Sequence, residues 1–375
     1  MKSKVFIIAG EASGDMYGAS LIEKISISKK YVEFYGIGGD LMKEKGITLS
    51  AHITDLNIMG FIDIIFKLFY LKKLINRTVS EIVKYNPDLI LFIDFSGFNQ
   101  KIAEKLKKLG FKSKKIKFVS PQIWASRYNR IKTITKIYDT LICILPFEKE
   151  IYNKYDSKFD CRYVGTPILD NFVLKLSANE FYNRFSIPPR LKKIALFPGS
   201  RNSEIRYHLP VLLKLIEKRR DLFFIVSQSM TISSKYINQI SGFENVRIVD
   251  SSFQWEILKY SDVALVKSGT TVLQAAITKT PSILFFKTSP LNFMIAKQII
   301  KVKLIGLPNL IIGKEIIKEL VQENFTVSKI DEELNNIILN DEYKEIMLDN
   351  LQIVNDRLGS KGALSRVADI ILENL

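Results

Sequence analysis

The first half of the chain alternates short apolar runs with stretches in which apolar residues recur every three or four positions. Val5–Ala9, Tyr31–Ile37, Leu89–Asp94, Ile116–Ser120 and Thr140–Leu145 read as strands. Their near-continuous apolar character fits strands covered on both faces. Between the first two, Leu21, Ile22 and Ile25 share one helical face, and Lys101–Leu109 reads as a further helix. Pro188-Pro189 interrupts this pattern, which then restarts. Lys193–Phe197, Leu222–Ser227, Val246–Val249, Val263–Val266 and Ser282–Phe286 read as a second set of strands, and Asp331–Leu375 as helices. Strands alternating with helices predict parallel sheets with helices on both sides. The expected class is therefore α/β: two doubly wound Rossmann-like domains facing a cleft. Residues 1–180 would form the first and 181–345 the second, with helices over 346–375 free to cross back to the first. Sheets of this kind bind ligands beyond the C-terminal ends of their strands, which makes the cleft the expected site.

Composition narrows the class. Of 375 residues, 47% are apolar and 25% charged, the balance of a folded globular chain. The longest stretch without a charged side chain, Leu222–Ser234, has 13 residues, and a spanning helix needs about 20. The N-terminal apolar run stops at Glu11, short of the roughly 7–15 residues of a signal-peptide core, so a cytoplasmic location is expected. Two cysteines, Cys143 and Cys161, and two histidines, His52 and His208, offer neither a disulfide framework nor metal-ligand spacing. Acid–base chemistry falls to carboxylates, with no metal or cofactor expected. The net charge is +16, and between Lys101 and Lys136 twelve basic residues face Glu104 alone. Such a field attracts polyanions: nucleic acid, an anionic membrane or phosphorylated substrates. No zinc-finger, RNA-recognition or basic-zipper pattern is present, so nucleic acid is set aside.

Three strand-end loops carry candidate chemistry. Pro198-Gly199-Ser200-Arg201 and Ser268-Gly269-Thr270-Thr271 each lead from a strand into a helix. Glycine lets backbone approach a ligand, helix N-termini offer N–H groups to phosphate, and Arg201 can add a bidentate contact. Equally, these are the residues of ordinary strand-to-helix turns, with Thr270 a plain N-cap. Without a Walker lysine, the pair favours a nucleotide diphosphate held outside a P-loop. After the first strand, Gly10–Asp15 supplies Glu11 and Asp15 and lacks the dinucleotide fingerprint. Asp15 suits a cap on its own helix, whereas Glu11 points toward the cleft. Asp94 is the sharpest candidate: a carboxylate at the tip of a buried strand is poorly solvated, which favours a role as base. Asn57–Ile75 is too apolar for a surface helix and too charged to span. From its residues alone, burial is slightly preferred to a place in the membrane interface.

In this order, the motifs resemble the lipid-A-disaccharide synthase family. They are Ala9–Asp15, Met59-Gly60, Pro87-Asp88 through Asp94 with Phe98-Asn99, Val119–Ala125, Leu145–Glu148, Val164-Gly165, Pro198–Arg201, Ser268–Thr270 and Leu307-Pro308-Asn309. Each is weak alone; the ordered set is specific and runs nearly end to end. The resemblance implies a GT-B fold and a metal-independent, inverting transfer from UDP-2,3-diacylglucosamine to the 6-hydroxyl of 2,3-diacylglucosamine 1-phosphate. The products would be UDP and the β(1→6) disaccharide. It assigns Asp94 as general base, Glu11 near the acceptor and Asn309 near the reaction centre. UDP would meet Gly199, Ser200, Arg201, Ser268, Gly269, Thr270, Gln274, Lys287 and Gln322. The acyl chains turn the preference for Asn57–Ile75 toward the membrane: Phe61, Ile65, Phe66, Phe69, Lys72 and Lys73 are the expected contacts with the cytoplasmic surface of the inner membrane. A second copy of the chain is a further candidate partner.

Three positions depart from the family. Gln274 stands where it usually has Glu, leaving a neutral acceptor for ribose hydroxyls. Gly97 replaces an acid often found in the Asp94 loop, and Thr166 stands in place of a common His. The alternatives are another GT-B nucleotide-sugar transferase, a UDP-sugar epimerase, or a silent lipid- or nucleotide-binding protein.

Overall fold

A computed structural model describes residues 2–29, 31–56, 64–229 and 232–375, with residues 64–68 described as backbone only. The chain divides into two compact units, Met1–Asp170 with Gly359–Leu375, and Asn171–Leu358. The final helix, Ala363–Glu373, therefore belongs to the first unit, where it packs beside Ala12–Ser28.

The first unit holds seven parallel strands: β1 (Ser3–Ala9), β2 (Val32–Gly38), β3 (Thr48–His52), β4 (Leu89–Ile93), β5 (Lys114–Phe118), β6 (Thr140–Cys143) and β7 (Asp160–Tyr163). Their order is β3-β2-β1-β4-β5-β6-β7. Alternation along the central strands feeds two cores. Val5, Ile7, Leu89, Leu91 and Ile93 pack against Leu21, Ile22, Ile25, Val367 and Ile371 on one face. Phe6, Ile8, Ile90 and Phe92 pack against Leu74, Ile82, Ile102 and Ile134 on the other. Because both faces are covered, the runs look continuous in the sequence.

The second unit holds six parallel strands: β8 (Lys192–Phe197), β9 (Leu222–Gln228), β10 (Val246–Asp250), β11 (Val263–Lys267), β12 (Ser282–Phe286) and β13 (Lys318–Val321), in the order β10-β9-β8-β11-β12-β13. Three strands have no counterpart in the sequence reading: β3, β7 and β13. All three are sheet edges, where one side faces water and polar residues interrupt the apolar run. The helix after β4 begins at Ser96, ahead of the Lys101 start that its periodicity suggested.

No described helix is long and apolar enough to cross a membrane. Of the expected interfacial segment, Phe61 and the Met59-Gly60 motif lie outside the described residues, and so do the side chains of Ile65 and Phe66. Helix Ile64–Tyr85 buries Leu74, Val79 and Ile82 in the core, while Phe69, Lys72 and Lys73 are exposed near its start.

Asp170 closes the first unit's chain path. Its Oδ1 accepts from the backbone N–H groups of Gly362 (2.6 Å) and Ala363 (3.3 Å), and its Oδ2 from Leu364 (3.0 Å). It thereby caps the returning helix from 192 residues away in sequence. Asp170→Ala leaves three helix-start donors unpaired and is expected to cost about 1–2 kcal/mol; urea unfolding curves of the two proteins check this.

Candidate active site

In the first unit the strand order reverses between β1 and β4, which lie side by side with Ala9 opposite Ile93. The loops after these strands carry Glu11 and Asp94. They touch: a Cβ on Gly10 would collide with the Phe95 ring, so glycine alone allows this approach. Asp94 (φ 40°) and Phe95 (φ 44°) are consecutive left-handed residues, and Val119 (φ 67°) follows at the end of β5. Each costs on the order of 1–3 kcal/mol and persists only where the surroundings enforce it.

Several bonds enforce the Asp94 turn. Its N–H donates to the Phe118 carbonyl (3.0 Å). Its carbonyl accepts from Asn99 Nδ2 (2.7 Å) and from the Lys117 ammonium. All these contacts engage the backbone. The half-buried carboxylate accepts no hydrogen bond among the described residues. Lys117 is wholly buried, and burial pulls its pKa down to about 7 against the opposing charge of Asp94. Tyr17 is pushed up to about 12 by burial and then by the negative charges of Asp94 and Asp170, so its phenol stays neutral.

Glu11 occupies the N-cap position of Ala12–Ser28 but makes no capping bond, and it is exposed. Asp15 does not cap its own helix as expected. Its carboxylate accepts from the backbone of Gly39 (2.7 Å), Met42 (3.1 Å) and Leu41 (3.2 Å), holding the helix Asp40–Glu44. The Val119–Ala125 and Leu145–Glu148 motifs meet where Trp124 Nε1 donates to Glu148 Oε1 (3.2 Å). Burial pushes the Glu148 carboxyl up to about 7.

In the second unit the order reverses between β8 and β11. A cavity of about 400 Å³ opens there, lined by Gly199, Ser200, Arg201, Ser268, Gly269 and Thr270, the six expected contacts within the two loops. Gly199 (φ 116°) and Gly269 (φ 154°) take conformations open to glycine. Gly269, not Thr270, is the N-cap of Thr270–Ile277, and Arg201 is that of Asn202–Lys218. Neither makes a side-chain cap, and the Glu204 and Val272 N–H groups turn back to the Arg201 and Gly269 carbonyls (3.0 and 3.4 Å).

Four expected residues lie apart from this cavity's lining. Gln274 is buried on helix Thr270–Ile277. Lys287 follows β12, and its backbone N–H donates to His208 Nε2 (3.1 Å). Gln322 spends its amide on the backbone of Thr288, accepting from its N–H (3.2 Å) and donating to its carbonyl (2.9 Å). Asn309 is completely buried. Its Nδ2 donates to the Ile317 carbonyl (2.9 Å) and Glu319 Oε1 (2.7 Å), and its Oδ1 accepts from the N–H groups of Ile316 and Ile317. The geometry makes Gln322 and Asn309 framework residues, because their polar atoms are already used. Conversely, the sequence reading omitted Ser227, Ser251, Gln254 and Lys267, which line the cavity, and His208. Only Lys267 left a signal: it is the strand's last residue, directly before Ser268-Gly269. The others converge from separate strand ends or from within a helix.

A family model described as lipid-A-disaccharide synthetase matches residues 5–366. The lipid-A-disaccharide synthase of Persephonella marina is 36% identical over 381 residues, covering 99% of this chain and 98% of that protein. Among solved structures, the glycosyltransferase of kitacinnamycin aligns with a TM-score of 0.65 at 12% identity, covering 100% of both chains. The UDP-GlcNAc 2-epimerase of Neisseria meningitidis, bound to UDP-GlcNAc, aligns with a TM-score of 0.65 at 12% identity and the same coverage. At such identity the structural likeness speaks for the fold, two doubly wound units of the GT-B type.

Lys117 generates a stability prediction. Its folded pKa lies below the 10.5 of an ordinary lysine, so unfolding takes up a proton between about pH 7 and 10.5. The penalty for burying this charge is therefore full below pH 7 and fades as pH rises to 10.5. Lys117→Met removes it. The variant's denaturant midpoint, relative to the unsubstituted chain, is expected to be highest at pH 7 and to lose ground steadily toward pH 10.

Proposed function

The chain belongs to the lipid-A-disaccharide synthetase family, and we propose that it joins the two diacylated glucosamines of lipid A. In this reading, 2,3-diacylglucosamine passes from its UDP ester to the 6-hydroxyl of 2,3-diacylglucosamine 1-phosphate with inversion. The observation that carries the reading is the Asp94 carboxylate, half-buried at the first unit's switch point while its backbone is pinned from three sides. A base held by its main chain keeps its carboxylate oxygens available to substrate.

The acceptor hydroxyl is a weak nucleophile at neutral pH. Asp94 takes its proton while the oxygen bonds to the donor's anomeric carbon. The bond from that carbon to the diphosphate oxygen breaks, and its electron pair leaves with UDP. General-base assistance of this kind is worth about 10²–10⁴ in rate. The transition state has oxocarbenium character, as in glycoside hydrolysis. Charge growing on the diphosphate is met by the helix starts at Asn202 and Thr270 and by Arg201. Glu11, exposed beside the Asp94 loop, serves the acceptor. Asn309 and Gln322 act from behind, as supports of the second unit's loops.

Acyl-chain substrates call for access to a lipid surface. The start of helix Ile64–Tyr85 presents exposed Phe69 beside Lys72 and Lys73, a pairing that suits an apolar contact flanked by cations at anionic headgroups. The enzyme works peripherally at the cytoplasmic face of the inner membrane.

Incubation with both lipid precursors, read for UDP release and for the disaccharide product, tests the reaction. Non-acylated acceptors separate it from other nucleotide-sugar transfers. Asp94→Asn is expected to lower turnover at least about 100-fold while UDP affinity and melting temperature hold; unchanged turnover defeats the assignment. Replacing Phe69 with Ser and Lys72 and Lys73 with Glu is expected to release the protein from anionic liposomes in a sedimentation assay without lowering its melting temperature.

A further inference from the structure

The donor cavity contains a cation that the family motifs do not include. Lys267 is the last residue of β11, and the residue before it, Val266, pairs with Phe197 at the end of β8. This places Lys267 at the switch point, in the cavity wall beside Gly199 and Gly269. Its stem runs along the Gly199 turn: a Cβ at Gly199 would lie 3.8 and 3.9 Å from Lys267 Cγ and Cδ. Its ammonium lies 5.7 Å from the Phe286 ring centroid and 3.1 Å from Glu204 Oε1. The same carboxylate oxygen lies 3.5 Å from Arg201 Nη1, and Glu204 Oε2 would lie 3.3 Å from the Gly199 Cβ. Glu204 sits in the first turn of Asn202–Lys218, where a negative charge also complements the helix dipole.

One carboxylate is thus set against two cations, a helix start and a glycine turn, the arrangement by which a protein binds phosphate. We infer that Lys267 is a ligand of the donor's diphosphate, and that Glu204 is the resident anion it exchanges for that diphosphate when the nucleotide binds. The inference rests on the donor reading above and deepens it. A diphosphate brings more than one negative charge to two cations that share a single carboxylate, so the exchange is favoured electrostatically. The lysine stem needs little movement, since the ammonium already stands at the cavity wall.

Binding of UDP and of uridine to the full chain, measured by titration calorimetry, tests this without any acceptor. Lys267→Met is expected to weaken UDP at least tenfold and leave uridine within twofold, because uridine carries no phosphate. Lys267→Arg is expected to retain most of the UDP affinity. Glu204→Gln, which releases Lys267 from its resident partner, is expected to tighten UDP several-fold. Equal losses for UDP and uridine in Lys267→Met, or no loss at all, overturn the assignment. Weaker UDP binding by Glu204→Gln overturns the exchange. An unsubstituted chain that binds no UDP defeats the donor reading itself, an outcome distinct from failure of Lys267 alone.

Discussion

A parallel sheet whose strand order reverses must send two adjacent strands into loops that part to opposite faces. That constraint operates once in each unit of this chain. Between β1 and β4 it brings together Gly10 and Phe95. Between β8 and β11 it leaves the cavity between the Gly199 and Gly269 turns. The two sites differ in what fills the gap. In the first unit, the Phe95 ring closes over Gly10 while Asn99 and Lys117 hold the Asp94 backbone. In the second, glycine turns and helix starts border an open cavity.

The first site is costly to build. Two consecutive non-glycine residues take left-handed backbone, and a β-branched residue does so one strand away. Beneath them lies a lysine with no access to water, whose described hydrogen bond ends on a backbone carbonyl. Neither feature improves stability, and a buried charge without a close carboxylate partner is unfavourable. Both act on the main chain of Asp94, so its side chain is oriented without being consumed. Strain of this sort concentrates where geometry serves chemistry.

The second unit shows the complementary economy. The buried Asn309 and His208 and the part-buried Gln322 are paired, each tying its own element to the backbone of another segment. His208 joins two strand ends: one ring nitrogen contacts the Pro198 carbonyl at 2.9 Å, and the other accepts from the Lys287 N–H. Burial lowers its pKa, which fits a neutral ring with one donor and one acceptor. These side chains hold the loops that border the cavity in place.

The interior strands, the α/β class and the loops that line the second unit's cavity were legible in the sequence because their signals are local. A strand covered on both faces is written as a continuous apolar run, and a close backbone approach is written as glycine. The edge strands β3, β7 and β13 were hidden because water on one side relaxes that pattern. The work of individual polar groups was equally hidden, since it depends on partners brought near by folding. Asp15 caps a helix begun at Asp40, Asp170 caps one begun at Ala363, and Asn309 closes on Ile316, Ile317 and Glu319. Residue type alone decided that Asp94 could be a base. Only the packing of β4 against β5 decided that Lys117 would join the neighbouring Asn99 at its carbonyl, because hydrogen bonds are satisfied by distance in space.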